Sequence, residues 1–153
     1  MTEEVISLRA ARPNEGAALA LVFGSARAAM AYLPVLHTAQ ENVVFFSACV
    51  ARGGWVEVAE VAEMMVGFCA VHEGMVEHLY VRAEWQGRGI GGALLGRAMA
   101  AHPAGLSLWV FEENSRAQAF YMRAGFVEVE RTDGRGNEEG VPDVRMRWDG
   151  VAT

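Results

Sequence analysis

This sequence contains no lysine, so all 13 of its basic side chains are arginines. Without lysine, the chain can neither form a Schiff base with a carbonyl substrate nor build the P-loop that holds a nucleoside triphosphate. Cysteine is scarce as well: Cys49 and Cys69 are the only two, and both fall in apolar stretches. This setting favours reduced core thiols over a disulfide framework. Neither they nor the four histidines have the spacing of metal ligands, so we predict no metal site.

Long apolar runs and an excess of positive charge are missing too. No apolar run reaches the roughly 18–20 residues of a membrane span. The first residues, Met1-Thr2-Glu3-Glu4, lack the basic and then apolar layout of a signal peptide. The formal net charge of -6 opposes the basic face that a nucleic-acid-binding protein needs. We therefore expect a cytoplasmic protein of bacterial type that binds neither nucleic acid nor membrane.

The pattern of apolar residues predicts the secondary structure of a single domain over residues 1–153. It predicts strands over 6–9, 55–61, 64–72, 75–82, 106–111, 126–132 and 144–148, and helices over 13–31, 38–52, 89–102 and 115–124. Thr38 and Glu41 have the spacing of a capping box at the start of the second helix. Two-residue gaps after the second and third strands predict an antiparallel meander. The order β-α-α-β-β-β-α-β-α-β-β is an α+β layout around one mostly antiparallel sheet.

Four glycines crowd the junction between the fourth strand and the third helix: Gly87, Gly89, Gly91 and Gly92. Glycine lets backbone N–H groups approach a ligand closely, and a helix N-terminus adds partial positive charge. Together they make an anion site suited to phosphate, to which Arg88 can add a charge-assisted contact. The alternative is a ligand-free turn, which is disfavoured because glycines weaken the start of a helix.

The same run also satisfies the dinucleotide-binding pattern G-x-G-x-x-G, with Glu112 about 20 residues further on. Two observations oppose a Rossmann domain. Residues 82–86 separate the strand from the first glycine, whereas a Rossmann glycine follows its strand almost at once. The rest of the chain offers mainly a β-hairpin, not further parallel strands. The glycine run alone therefore does not distinguish a dinucleotide-binding domain from another phosphate-binding fold, and the residues around it make the distinction.

The surroundings supply two motifs in a fixed order. Gln86-Gly87-Arg88-Gly89-Ile90-Gly91 fits Gln/Arg-x-x-Gly-x-Gly/Ala, and Asn114, Ala117, Phe120-Tyr121 and Gly125-Phe126 fit N-x-x-A-x-x-F-Y-x-x-x-G-F. On these residues the sequence resembles the GCN5-related N-acetyltransferases (the GNAT family) over nearly its whole length. The resemblance implies acetyl-CoA as cosubstrate, a sheet whose fourth and fifth strands splay apart, and direct attack of an amine on the thioester.

The resemblance also implies which residues bind the cosubstrate. In the family, the pantetheine arm pairs with free backbone groups of the fourth strand, and the pyrophosphate lies on the glycine run. The residues expected to bind acetyl-CoA are Leu79, Tyr80, Val81, Gln86, Gly87, Arg88, Gly89, Ile90, Gly91, Gly92, Asn114, Ala117 and Phe120.

Two residues are the candidates for proton transfer. Tyr121 occupies the family position of the general acid, where a phenol protonates the departing thiolate. Its alternative is a core role, because it lies on an apolar helical stripe with Ala117 and Ala124. Glu77 on the fourth strand is the candidate base, acting directly or through water, and His78 is the alternative. A regular strand places Glu77 on the face of Leu79 and Val81, and a bulge would change this.

The acceptor is expected to be an amine of a small molecule or peptide. His37, between the first two helices, and the acidic loop of residues 133–143 are candidates for its pocket, although both are equally compatible with solvated surface. Homodimers are common in the family, so a homodimer is possible. The alternative function is a catalytically silent acyl-CoA-binding module that senses or regulates, and the presence of Tyr121 favours the enzyme.

Overall fold

The computed structural model describes residues 5–151, so the acidic segment 1–4 lies outside the described residues. Within them, seven strands form one sheet in the order β1-β2-β3-β4-β5-β7-β6. The strands are β1 (Ser7–Ala10), β2 (Trp55–Val61), β3 (Met64–His72), β4 (Met75–Val81), β5 (Leu106–Phe111), β6 (Val127–Thr132) and β7 (Asp143–Trp148). Neighbouring strands pair antiparallel except β4 and β5, which are parallel.

Four α-helices accompany the sheet in residues 5–151: α1 (Gly16–Ala28), α2 (Ala39–Ala51), α3 (Ile90–Ala101) and α4 (Ser115–Arg123). A short 3-10 helix, Ala83–Trp85, follows β4. The order of elements is the predicted one, and the predicted α+β class is confirmed. Helix α1 is shorter than predicted at both ends. At its start, the Glu15 carboxylate binds Arg9 and accepts the Arg12 backbone N–H at 2.6 Å, and this turn delays the helix to residue 16.

The start of α2 shows why its position could be predicted. The Thr38 hydroxyl accepts the Glu41 backbone N–H at 3.1 Å, and the Glu41 carboxylate accepts the Thr38 N–H at 2.8 Å. This reciprocal capping box satisfies two of the N–H groups that a helix start leaves open. The predicted capping box is therefore present, and it begins the helix that later forms one wall of a cavity.

The sheet has an apolar core on each face. Helix α3 covers one face, where Ile90, Leu94, Leu95 and Ala98 are buried against the inward side chains of β2 to β5. Helices α1 and α2 cover the other face, where Leu19, Val22 and Phe46 pack on β2 and β3. Helix α3 lies close to the sheet at Gly67, where an added Cβ would lie 3.3 Å from both Ile90 Cγ2 and Leu94 Cδ1. This close packing fixes the direction in which the N-terminus of α3 points.

Strands β4 and β5 separate along their length. Their parallel pairing covers only Met75 with Ser107 and Val76 with Leu108. Beyond Val76, β4 stays paired with β3 as far as Val81, so its other edge faces a gap. The splayed fourth and fifth strands expected from the family resemblance are present, and the chain continues from the end of β4 at Val81 toward the glycine run.

Two further features concern the cysteines and the helices. Cys49 and Cys69 are free and buried. None of the helices in residues 5–151 combines the length and the apolar character needed to cross a membrane.

Candidate active site

The glycine run forms the entry to α3 and has the geometry of an anion site. Gly87 and Gly89 have φ of 78° and 83°, in the left-handed region that favours glycine, and Gly89 is the N-cap of α3. The first helical hydrogen bond is donated by Ala93 to Gly89, at 3.0 Å. The N–H groups of residues 90–92 therefore precede the helical ladder and can point at a ligand.

The space above these N–H groups is open. A Cβ built on Gly87, Gly89 or Gly92 would meet no atom within 4 Å, so a phosphate can approach the backbone there. A Cβ on Gly91 would lie 3.7 Å from the ring of Phe120, which places α4 beside the run. This cradle fits the pyrophosphate of coenzyme A, which the family resemblance assigns to it.

The neighbours of the run hold it in place. The Gln86 side chain donates to the Val81 carbonyl at 3.0 Å, which ties the run to the end of β4. The Arg88 guanidinium lies over the Trp85 ring, with 4.4 Å between its Cζ and the ring centroid. The Ile90 side chain is buried in the core, so this residue can offer a ligand only its backbone.

The gap between β4 and β5 is a small cavity of about 100 Å³. Its walls include Leu79 from β4, Leu108 and Val110 from β5, and Ala117 and Tyr121 from α4. Asn114 also lines it, but the Asn114 side chain already accepts the Ala117 N–H at 3.1 Å and caps α4. The predicted residues Leu79, Asn114, Ala117 and Tyr121 are thus brought together in one cleft.

Strand β4 contains a bulge at the candidate base. Val71 of β3 pairs with Val76 and Ala70 pairs with His78, so Glu77 is the extra residue between them. The expectation for a regular strand, with Glu77 on the face of Leu79, therefore does not hold. Bulges re-aim side chains next to functional sites. Glu77 is exposed, forms an ion pair with Arg52, and lines both the cleft and a larger cavity beside it.

Tyr121 is packed against the core cluster and lines the cleft. Its ring contacts Phe120 and Phe126, with centroids at 5.1 and 5.7 Å. Burial raises the pKa of Tyr121 above that of a free phenol, and nearby Cys69 and Tyr80 raise it further. The phenol therefore keeps its proton at neutral pH, the state that a general acid requires before transfer. Both the core role and the acid role remain compatible with this position.

His78 differs from an ordinary histidine because aromatic rings surround it. The rings of Phe45, Phe46 and Phe68 lie 5.6, 5.0 and 6.3 Å from its own. Burial lowers the pKa of His78 from 6.5 to about 4, despite the opposing charge of Glu77. The imidazole is neutral at physiological pH and resists taking up a proton, which disfavours His78 as the base.

A cavity of about 910 Å³ adjoins the cleft on the side of α1 and α2. Its lining is largely apolar and includes Phe23, Leu33, Pro34, Val44 and Phe45. Glu77 and Tyr80 line both this cavity and the cleft, so the two spaces meet at the bulge of β4. An amine in the large cavity can therefore face a thioester in the cleft. We refer to the larger space as the acceptor cavity.

The two segments singled out as candidates for the acceptor pocket meet at the rim of this cavity. His37 Nε2 is hydrogen-bonded to Glu138, which lies in the loop between β6 and β7, and His37 Nδ1 lies 3.8 Å from Glu41. His37, Glu138 and Glu139 all line the cavity. The contact joins the α1–α2 junction to the hairpin loop, so both belong to one wall.

The structure adds two residues that the sequence reasoning did not select. Arg27 of α1 lines the acceptor cavity, and its Cζ lies 5.0 Å from the Phe23 ring and 5.6 Å from the Phe111 ring. Tyr32 packs against the same Phe111 ring, with centroids 6.2 Å apart. The spacing of Phe23 and Arg27, four residues apart in a helix, predicts their contact. The contacts with Phe111 join distant parts of the chain, so no pattern of residues close in sequence predicts them.

A cleft between splayed strands, with a glycine-rich helix start at one end, defines a class of acyl-CoA-binding acetyltransferase folds. The sequence profile described as acetyltransferase (GNAT) domain matches residues 45–128. The chain belongs to the GNAT family, as predicted. The predicted enzyme class and acetyl-CoA as cosubstrate agree with this family.

Similarity to individual proteins agrees with this assignment. A probable N-acetyltransferase of Mycobacterium tuberculosis is 37% identical in an alignment 84 residues long, and the alignment covers 49% of this chain and 48% of that protein. The match therefore spans about half the length of the curated relative.

Solved structures share the fold at low sequence identity. Apo YjaB from Escherichia coli is 24% identical, with a TM-score of 0.74 over 96% of this chain and 99% of that one. YncA from Salmonella typhimurium, solved with its cofactor acetyl-CoA, is 17% identical, with a TM-score of 0.77 over 97% and 96%. The ribosomal-protein-S18-alanine N-acetyltransferase from Escherichia coli is 18% identical, with a TM-score of 0.77 over 97% of each chain.

Proposed function

We propose that this chain transfers an acetyl group from acetyl-CoA to a primary amine of a small molecule or peptide. One observation carries the proposal: the cleft between β4 and β5 opens into the acceptor cavity at Glu77 and Tyr80. A thioester in the cleft and an amine in the cavity would meet where a carboxylate is within reach. The family assignment supports acetyl-CoA as the cosubstrate, and the size and position of the acceptor cavity support an amine beside it.

The cosubstrate would be held largely by backbone groups. The N–H groups at the start of α3 and the open side of the glycine run would take the pyrophosphate, with Gln86 and Arg88 flanking it. The unpaired edge of β4 at residues 79–81 would hold the pantetheine arm as an added strand. The Tyr80 side chain packs toward Phe23 on the opposite face, so Tyr80 would contribute its backbone.

The transfer requires two proton movements. The amine nitrogen forms a bond to the thioester carbonyl carbon, and the carbon–sulfur bond breaks. Glu77, directly or through water, would take the proton that the amine loses, and Tyr121 would give its proton to the departing thiolate. Cys69 is unsuited to an acyl-enzyme, because burial raises the pKa of its thiol to about 12. We therefore infer direct transfer in a ternary complex.

The remaining parts of the proposal concern the whole chain. Residues 1–153 would act as a single N-acetyltransferase domain in the cytoplasm, on an acceptor that is not nucleic acid. A homodimer stays a prediction from the family resemblance.

An acceptor panel tests the activity. Purified protein is mixed with acetyl-CoA and each of a set of primary amines, and free thiol release is followed together with the mass of the amine product. We expect release that depends on the amine, with a matching acetylated product. Binding of acetyl-CoA without amine-dependent release for any member of a broad panel would contradict the enzyme and favour the silent acyl-CoA-binding module.

A matched pair of variants tests Glu77 as the base. Glu77→Gln should lower turnover at neutral pH by about 10²-fold or more, and the loss should shrink at high pH, where water removes the amine proton. Arg52→Gln breaks the same ion pair but keeps the carboxylate, so it should retain most of the activity. Equal losses in both variants would show that the ion pair, not the base, matters.

A further inference from the structure

Polar atoms without partners cluster around the acceptor cavity. Among residues 5–151, five buried side-chain nitrogen or oxygen atoms have no hydrogen-bond partner: Arg9 Nε, Arg27 Nε, Tyr32 Oη, His78 Nδ1 and Glu139 Oε2. Arg27, His78 and Glu139 line the cavity, and Tyr32 shares the Phe111 ring with Arg27. A buried polar group without a partner is destabilising, because it has lost its hydrogen bonds to water. Three such groups line one cavity and Tyr32 packs on the same ring as one of them, which indicates that a polar ligand supplies the missing partners.

Arg27 has the features of an anion-binding residue. Its guanidinium lies between the rings of Phe23 and Phe111, which orient it without neutralising its charge. No carboxylate oxygen of the described residues lies within 4.0 Å of it, whereas Arg9 and Arg145 form ion pairs at 2.7 Å. An oriented guanidinium facing a cavity suits a carboxylate, which it can bind with two parallel hydrogen bonds.

Tyr32 supplies a second donor next to Arg27. The Tyr32 hydroxyl is buried and has no hydrogen-bond partner. The two side chains contact the same Phe111 ring, at the end of β5. A hydroxyl and a guanidinium that share one aromatic neighbour can both donate to a single oxyanion.

The rest of the cavity determines what carries that oxyanion. Val35, Leu36, Val44 and Phe45 line the cavity yet are exposed, Val35 to 94% and Phe45 to 55%. An apolar side group of the ligand would cover them. On the other side, Glu77 marks the place of the reacting amine. His78, with the rings of Phe45 and Phe46 against it, lines the same cavity.

We propose that the acceptor is an amine that also carries a carboxylate and an apolar side group, as an apolar amino acid does, with Arg27 and Tyr32 binding the carboxylate. This inference rests on the proposed acetyl transfer and narrows its substrate class. A polyamine fits less well, because it would bring positive charge to Arg27 and leave the Tyr32 hydroxyl without an acceptor. The Glu139 carboxylate at the rim is then available to the N–H or ammonium groups of the ligand.

Matched pairs of acceptors test the role of the carboxylate. Phenylalanine is compared with phenethylamine, and leucine with isopentylamine, so that each pair differs only in the carboxylate. In at least one pair, we expect kcat/KM of the amino acid to exceed that of the plain amine by about tenfold or more. Arg27→Gln should raise KM for the amino acid about tenfold and change KM for the plain amine less than twofold. Tyr32→Phe should act in the same direction with a smaller effect.

Controls separate recognition from folding and from catalysis. Arg123→Gln removes one exposed positive charge at the end of α4 and should leave both acceptors unaffected. Acetyl-CoA affinity and circular dichroism report whether Arg27→Gln is folded. If Arg27→Gln does not fold, Tyr32→Phe tests the carboxylate site instead. Plain amines used as well as the amino acids, or equal losses for both acceptors in Arg27→Gln and Tyr32→Phe, would overturn the proposal.

A binding measurement distinguishes this proposal from the activity itself. Phenylalanine or leucine is titrated by calorimetry into wild type and Arg27→Gln in the presence of coenzyme A. Binding that depends on Arg27 without any thiol release would support the carboxylate site and contradict the acetyl transfer. Amine-dependent thiol release with no dependence on Arg27 or on the carboxylate would support the transfer and overturn the site.

Discussion

Replacing Gly92 with glutamate should stabilise the protein and weaken its binding of acetyl-CoA. Gly92 is the third residue of α3, is exposed, and has no atom within 4 Å of an added Cβ. Glutamate is a better helix former than glycine, and a negative charge in the first turn is favourable. Together these effects should raise the free energy of unfolding by about 1 kcal/mol, which corresponds to about 2–4 °C in Tm.

The same carboxylate would repel the pyrophosphate. Two unit charges about 4 Å apart in water repel each other by about 1 kcal/mol, and the pyrophosphate carries more than one charge. We therefore expect acetyl-CoA to bind about 5- to 30-fold more weakly to Gly92→Glu, and the loss to shrink at high salt. Calorimetric titration and thermal unfolding of the same samples measure both effects.

Two controls make the result specific. Gly92→Gln has the same shape without the charge, so it should gain helix stability and lose much less affinity. Gly96→Glu lies one turn further along α3, also exposed and with open space, and should leave acetyl-CoA binding almost unchanged. If Gly92→Glu bound acetyl-CoA as tightly as wild type, or Gly96→Glu bound it as weakly as Gly92→Glu, the glycine run would not be the pyrophosphate site.

Three further predictions concern single residues. Tyr121→Phe keeps the ring contacts and should lower turnover by about 10²-fold or more with less than a threefold change in acetyl-CoA affinity; equal losses in steady-state kinetics and titration would indicate a packing role. Because the pKa of His78 is lowered from 6.5 to about 4, the unfolded chain binds a proton there that the folded chain does not, so stability falls as the pH drops from about 6.5 to 4. Urea unfolding at pH 7 and pH 4 measures this decrease in the free energy of unfolding, and in His78→Phe the decrease should be about 3 kcal/mol smaller than in wild type. The same decrease in both proteins would refute the burial argument. Thr38→Ala removes the capping box of α2 and should cost about 1 kcal/mol in thermal unfolding; an unchanged Tm would show that the cap contributes nothing.

Local patterns explain why the order of elements could be predicted. The capping box at Thr38 and the short turns around β3 depend on residues that are close in sequence, so they can be predicted without the tertiary structure. The glycine run predicts a coenzyme A site only together with the motif from Asn114 to Phe126, because the run alone also fits the dinucleotide-binding pattern. The predicted start of α1 at residue 13 is too early, because Glu15 binds Arg9 in the preceding strand and the helix begins at Gly16.

The details of the candidate site depend on contacts between distant segments. The position of Glu77 follows from a bulge in the register between β3 and β4, which the sequence allowed but did not locate. The site formed by Arg27 and Tyr32 depends on Phe111 from β5, which no spacing along the chain predicts. The contact between His37 and Glu138 likewise joins two loops that are 101 residues apart.

The most direct test of the central claim is a titration of wild-type protein with acetyl-CoA and, separately, with NAD. The claim is that the glycine run and the edge of β4 form a coenzyme A site. We predict saturable binding of acetyl-CoA to one site per chain and no measurable binding of NAD at the same concentrations. Absence of acetyl-CoA binding, or equal binding of NAD, would contradict the account.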